Sequence, residues 1–111
     1  MRRENPRVTV DVLVNKLVDG VPYLASTRDL SLGGIYLNEL SEPVHRADAR
    51  VAVEIMLPGQ NEVMWLETDV VRHEDGRGTG LLFKDLTPRT RRCLSRFLEC
   101  QGISGQTPAL A

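Results

Sequence analysis

The chain has 111 residues, enough for one domain with one core and too few for a catalytic domain beside a regulatory one. A hydrophobic fraction of 41% against 26% charged fills such a core and excludes wholesale disorder. With 14 basic and 15 acidic residues the formal net charge is -1, which excludes the global positive field of a sequence-independent DNA binder; any anion must be held locally.

The opening residues Met1-Arg2-Arg3-Glu4-Asn5-Pro6-Arg7 lack the apolar run of a signal peptide, and no stretch is apolar for long enough to span a membrane. Pro6 disfavours the α region at Asn5. Residues 1–7 therefore read as an irregular arm delivering three arginines to the first strand. Residues 8–16 alternate, with Val8, Val10, Val12 and Val14 on one face, the signature of a half-buried strand. Asp19-Gly20 supplies a hairpin turn, and Val21 to Thr27 return. Arg28-Asp29-Leu30-Ser31-Leu32-Gly33-Gly34 reads as a break, with paired glycines where the backbone turns or approaches something closely. Ile35 to Leu37 form a short strand, and Asn38 to Asp48 a polar loop.

Val51, Val53, Ile55 and Leu57 mark a further strand that stops at Pro58-Gly59. Val63 to Arg72 is a longer run whose Val70-Val71 pair breaks the alternation and marks a bulge. Asp75-Gly76 turns the chain back into Thr79 to Phe83. The period then changes: Thr87-Pro88 starts a helix, Cys93, Leu94, Phe97 and Leu98 form its apolar stripe, and Gly102 ends it. The expected fold is all-β, a six-stranded antiparallel barrel closed over residues 8–84, with a C-terminal helix over 87–101 and a flexible tail over 102–111.

Cys93 and Cys100 lie about 10.5 Å apart at 1.5 Å per helical residue, too far for a disulfide; they read as small core residues of a cytosolic, soluble, reduced protein. His45 and His73 have no metal-ligand spacing and read as surface histidines. Gly76-Arg77-Gly78-Thr79-Gly80 lacks the Lys-Ser/Thr of a phosphate loop and reads as a hairpin turn. Trp65 and Tyr36 read as barrel packing, and Arg89, Arg91, Arg92 and Arg96 as a solvated helix face. No nucleophile has a base in reach and no carboxylate pair stands out, so the chain is not read as an enzyme, and neither a cofactor nor a metal is expected.

Two features do not reduce to structure as easily. Guanidinium, as on Arg2, Arg3 and Arg7, pairs bidentately with phosphate, matches the O6 and N7 edge of guanine and stacks on flat rings. In Asp29-x-Ser31-x-x-Gly34, the carboxylate complements the N1–H and N2–H donors of guanine, the hydroxyl suits phosphate or backbone, and glycine lets the main chain pass close. Taken alone, the first is also what a basic tail offers and the second what a Ser turn offers.

In this order and spacing, Arg3-x-x-x-Arg7 before the first strand and Asp29-x-Ser31-x-x-Gly34 about two strands later resemble the paired signature of the PilZ domain family. The resemblance extends to Gly33-Gly34-Ile35-Tyr36-Leu37, Val70-Val71-Arg72, Gly80-Leu81-Leu82-Phe83 and the closing helix, and assigns residues 1–101 to the domain. It implies a barrel that binds the bacterial second messenger cyclic di-GMP (c-di-GMP) and signals by altered interaction with an effector protein.

By the same resemblance the ligand-binding residues are Arg2, Arg3, Arg7, Asp29, Ser31, Gly33 and Gly34. The arginines take the phosphates and Hoogsteen edges, and the strand motif takes guanine and the sugar-phosphate ring. An arginine directly before the first motif arginine, here Arg2, goes in the family with an intercalated ligand pair. The free arm is expected to be mobile and to order on binding. Two rivals stand beside this reading: a nucleotide-independent interaction adaptor of the same fold, which intact motifs count against, and a single-stranded nucleic acid binder, which needs more basic and aromatic residues along the strands.

Overall fold

The computed structural model describes residues 6–39, 49–74 and 76–101. Seven strands precede one helix: β1 Val8–Thr9, β2 Leu13–Val18, β3 Val21–Leu30, β4 Gly34–Glu39, β5 Val51–Ile55, β6 Met64–Glu74, β7 Gly78–Phe83 and α1 Pro88–Cys100. All pairings are antiparallel, in the order β1-β3-β2-β5-β6-β7-β4, and β4 pairs back onto β3. The six longer strands thus close a barrel without a free edge, as the alternation predicts. No helix among the described residues is long and apolar enough to cross a membrane.

The strand expected over residues 8–16 is two. Both pieces lie along β3: β2 pairs with Val21 to Ser26, and β1 with Asp29 and Leu30. Between them main-chain bonds from Thr27 N to Val12 O (2.9 Å) and from Val10 N to Arg28 O (3.3 Å) continue the contact, and the Thr27 hydroxyl fills the gap, accepting from Val12 N at 3.0 Å and donating to Val10 O at 2.5 Å. The valines still point inward, because the interruption keeps the parity of Val10 and Val14.

The other turns follow their residues. Asp19 and Gly20 adopt φ of 50° and 86°, the left-handed pair that a tight hairpin needs. The Thr87 hydroxyl caps α1 by accepting from Thr90 N at 3.1 Å, and Pro88 opens the helix. Leu94, Phe97 and Leu98 of α1 join Leu30, Ile35, Leu37, Val51, Val53, Ile55 and Leu66 in one core. Gly102, expected to end the helix, and the tail expected over 102–111 lie outside the described residues.

Several expectations need correction. Arg28 to Leu30 are not a break: β3 carries them, and the turn begins at Ser31. Asn38 and Glu39 belong to β4, not to a loop. Trp65 is 49% exposed on the outer wall, so it does not pack the barrel. Cys100 is exposed while Cys93 is half-buried, and both are free thiols. His73 is half-buried and lies with Nδ1 3.0 Å from Thr79 Oγ1. The same hydroxyl accepts from Nζ of Lys16, which is 1% exposed and occupies an inward position between Val14 and Val18. His45 lies outside the described residues.

Candidate functional site

Two bulges shape one face of the barrel. Along β3 and β4, Thr27 opposes Leu37 and Asp29 opposes Tyr36, so Arg28 is the extra residue. Arg28 and Asp29 consequently both face outward, whereas Ala25, Thr27 and Leu30 face the core. Along β6 and β7, Val70 opposes Leu81 and Arg72 opposes Gly80, which puts the expected bulge at Val71 and turns Val71 and Arg72 outward together. Between the bulges Tyr36 pairs with Gly80. One row of outward positions therefore crosses four strands: Asp29, Tyr36, Gly80, Arg72.

The row floors an open groove of about 390 Å³, a volume typical of small-ligand sites. Arg7, Ser31, Gly33, Gly34 and Leu82 also line it. Its charged residues are Arg7, Arg28 and Arg72 against Asp29, a local excess of positive charge in a chain whose net charge is -1. Exposed Val71 and Leu82 add apolar surface.

The arm reaches the strand motif through β1. Thr9 opposes Asp29 in the ladder, so Arg7, just before β1, falls beside the Asp29 carboxylate. Its Nε and Nη2 donate to Asp29 Oδ1 at 2.7 and 2.6 Å, while Arg28 Nε donates to Oδ2 at 3.3 Å. Both carboxylate oxygens are thus engaged by guanidinium. This corrects the expectation that little ties down residues 1–7, since Arg7 is held; Arg2 and Arg3 lie outside the described residues.

Tyr36 lies flat on the outer wall. A Cβ at Gly78 would stand 2.7 Å from Tyr36 Cε1, so this glycine of β7 makes room for the ring, whereas one at Gly80 would be in ordinary contact, 3.7 Å from Cδ2. Arg28 covers the ring, its Cζ 3.7 Å from the centroid. The phenol donates to Glu74 Oε1 at 2.5 Å. Burial first and that bond second raise the Tyr36 hydroxyl above its ordinary value; the Tyr36 hydrogen bond, outweighing desolvation, lowers the Glu74 carboxyl, with Arg72 and Arg77 adding to it.

Ser31 is 2% exposed, and its Oγ accepts from Gly33 N and Gly34 N at 3.1 and 3.2 Å, so the hydroxyl shapes the turn at the groove's edge. Gly34 is required by the barrel itself: a Cβ there would meet Leu81 O of β7 at 2.4 Å. The structure brings together Arg7, Asp29, Ser31, Gly33 and Gly34, and adds Arg28, Tyr36, Val71, Arg72 and Gly80, which the sequence reading did not place in the site. The Val70-Val71 break in alternation was a signal for Val71 and Arg72, and the family resemblance ran through Tyr36, Val71, Arg72 and Gly80 without giving them a role; Arg28 had neither.

A larger groove of about 560 Å³ runs between the start of α1 and the start of β6, yet it holds no residue of either motif. Several of its charges are paired locally: Arg89 with Glu62 and Lys84 with Asp69, while Trp65 Nε1 donates to Glu67. Among the described residues no group of three or more His, Cys, Asp or Glu could hold a metal ion.

The PilZ domain profile matches residues 1–100. The chain belongs to the PilZ domain family. Solved structures agree on the fold. The PilZ domain of YcgR from Escherichia coli, determined with c-di-GMP, superposes with a TM-score of 0.72 at 22% identity, covering 90% of this chain and 91% of that one. The PilZ domain of CeSA from a cellulose-synthesizing bacterium gives 0.67 at 20% identity, covering 86% and 97%. The Bacillus subtilis inhibitor of motility MotI/DgrA gives 0.73 at 14% identity, and the match covers 96% of this chain and 53% of that protein. Curated protein sequences give no match. The barrel with one extra strand and a single C-terminal helix is the PilZ fold, and in it Arg7 meets Asp29, Ser31 and Gly34 at one groove.

Proposed function

We propose that this PilZ domain is a receptor for c-di-GMP that binds without chemical turnover and passes the signal to an effector protein through a changed surface. The observation that carries the reading is the row Asp29, Tyr36, Gly80, Arg72, with Arg7 docked onto it by β1. This arrangement offers a carboxylate for the guanine N1–H and N2–H, an aromatic floor, and guanidinium groups for phosphate and for the Hoogsteen edge. The c-di-GMP complexes of YcgR and of Borreliella burgdorferi PlzA support the choice of ligand.

In this reading Arg3 and Arg7 grip phosphate and guanine, Asp29 reads the base, and Ser31, Gly33 and Gly34 hold the strand edge against the ligand. Arg2 adds a third arm guanidinium that favours an intercalated pair of ligands. Binding closes the arm over the groove, and the ordered arm with its ligand forms the surface an effector reads. Part of the interaction energy offsets the ordering.

Titration with c-di-GMP in the presence of excess GTP and of a single-stranded oligonucleotide tests the reading. Saturable binding that neither competitor displaces is expected. Silence toward all three ligands would instead favour the nucleotide-independent adaptor, and displacement by the oligonucleotide would favour a nucleic-acid site.

A further inference from the structure

Arg28 lies outside both motifs, yet it already makes the two contacts that a guanine base would seek in this groove. Its guanidinium stacks 3.7 Å above the centre of the Tyr36 ring, and its Nε donates to Asp29 Oδ2 at 3.3 Å. Guanine likewise has a flat face for an aromatic ring and edge N–H donors for a carboxylate. Guanidinium and guanine share the planar, delocalised, donor-edged character that both contacts select. The β3 bulge makes the coincidence possible, because it turns Arg28 and Asp29 to the same face opposite Tyr36.

We propose that Arg28 is an internal occupant of the guanine seat, and that ligand binds by displacing its guanidinium from Tyr36 and Asp29. The proposal rests on the c-di-GMP reading and adds how the seat is held before ligand arrives. Tyr36 is only 3% exposed although it lines the groove, with glycines of β7 behind it and Arg28 in front. The Arg28 side chain is 52% exposed, so it can swing off the ring without disturbing the core. Once displaced it remains in the groove as a cation, where the ligand phosphates arrive.

The exchange also selects the base. Adenine presents an N1 acceptor where guanine presents N1–H, and an acceptor cannot replace the Arg28 donor on a carboxylate. Arg28 thus works as a gatekeeper: a ligand base must better its contacts with both Tyr36 and Asp29.

The test is Arg28→Lys, which keeps the charge but replaces a flat stacking group by a compact, strongly hydrated ammonium. A stacked cation and an exposed ion pair together correspond to roughly a three- to tenfold difference in affinity. Calorimetric titration with c-di-GMP should therefore show Arg28→Lys binding about three- to tenfold tighter than wild type. In the wild type, the Arg28 Nε–H resonance should shift on saturation as its bond to Asp29 is lost. Equal or weaker binding by Arg28→Lys, or an Nε–H resonance that does not move, would overturn the exchange while leaving the ligand reading intact. A wild type that does not bind c-di-GMP would overturn the ligand reading and the exchange with it.

Discussion

Arg7 and Asp29, 22 residues apart in sequence, are joined by two donors on one oxygen: Nε and Nη2 of the arginine both reach Oδ1 of the aspartate, at 2.7 and 2.6 Å. Arg7, just before β1, is therefore coupled directly to Asp29 of β3. Their side chains are 25% and 20% exposed, so the pair is partly screened and contributes about 1 kcal/mol or less to folding. A lost charge-assisted phosphate bond costs about 1.5–3 kcal/mol, roughly ten- to a hundredfold in affinity. Arg7→Ala should accordingly lose most c-di-GMP binding and melt within a few degrees of wild type. Calorimetry and a thermal melt on the same sample check both halves; wild-type affinity would remove Arg7 from the site.

Asp29 is the acceptor that distinguishes guanine from adenine in the proposed complex, since only guanine offers adjacent N1–H and N2–H donors to a carboxylate. Asp29→Ala should therefore weaken c-di-GMP far more than c-di-AMP, narrowing the preference between them. Parallel titrations of both ligands measure this. If neither affinity changed, the carboxylate would serve only to anchor Arg7 and Arg28.

Two glycines of β7 make opposite predictions. A Cβ at Gly78 would meet Leu37 O at 2.2 Å and Tyr36 Cε1 at 2.7 Å, whereas a Cβ at Gly80 meets nothing nearer than 3.7 Å. Gly78→Ala must push backbone as well as the Tyr36 ring, and should cost about 1–3 kcal/mol or more. Gly80→Ala should stay within about 1 kcal/mol of wild type, as the added methyl makes ordinary contacts and stiffens the unfolded chain. Urea unfolding of the two variants compares them directly.

Most of the barrel was legible because its strands bury one face, and alternation reports burial. It failed where the backbone departs from period two. At Arg28 and at Val71 an extra residue puts two successive side chains on the same face, so β3 looked broken at Arg28, although the Val70-Val71 irregularity was visible. Lys16 sits at an inward position, but a charged residue at the end of a valine series carries no signal that its amine will meet a buried Thr79 hydroxyl. The motifs named Arg7, Asp29, Ser31, Gly33 and Gly34; Tyr36 and Arg72 entered the groove only through the register that aligns β3, β4, β7 and β6.

The Tyr36–Glu74 bond sets a pH window for the platform. Glu74 is lowered below its ordinary 4.5, chiefly by the Tyr36 hydrogen bond, so its contribution is present above that value and is lost as pH falls through the lower, folded-state value. Tyr36 is raised above its ordinary 10.0, chiefly by burial, so its contribution holds below pH 10.0 and is lost as pH rises through the folded-state value. Stability measured against pH should therefore fall on both limbs, and Tyr36→Phe, which removes the hydroxyl, should flatten each relative to wild type. Identical profiles would show that the bond does not report on folding.

In the proposed complex the number of ligands bound turns on Arg2, which lies beside Arg3 in the sequence and outside the described residues. One c-di-GMP would be served by the proposed contacts alone: Arg3 and Arg7 for phosphate and Hoogsteen edge, Asp29 for the base. A stacked pair doubles the phosphate charge and leaves an outer guanine with one face open to water. A further guanidinium next to Arg3 answers both needs, since it neutralises phosphate and stacks on a flat ring, whereas an apolar side chain there does neither. Wild-type protein at saturation should therefore carry two c-di-GMP per chain, and Arg2→Leu should carry one without losing the first. Native mass spectrometry counts them directly. One ligand on the wild type, or two on Arg2→Leu, would mean that Arg2 does not set the stoichiometry.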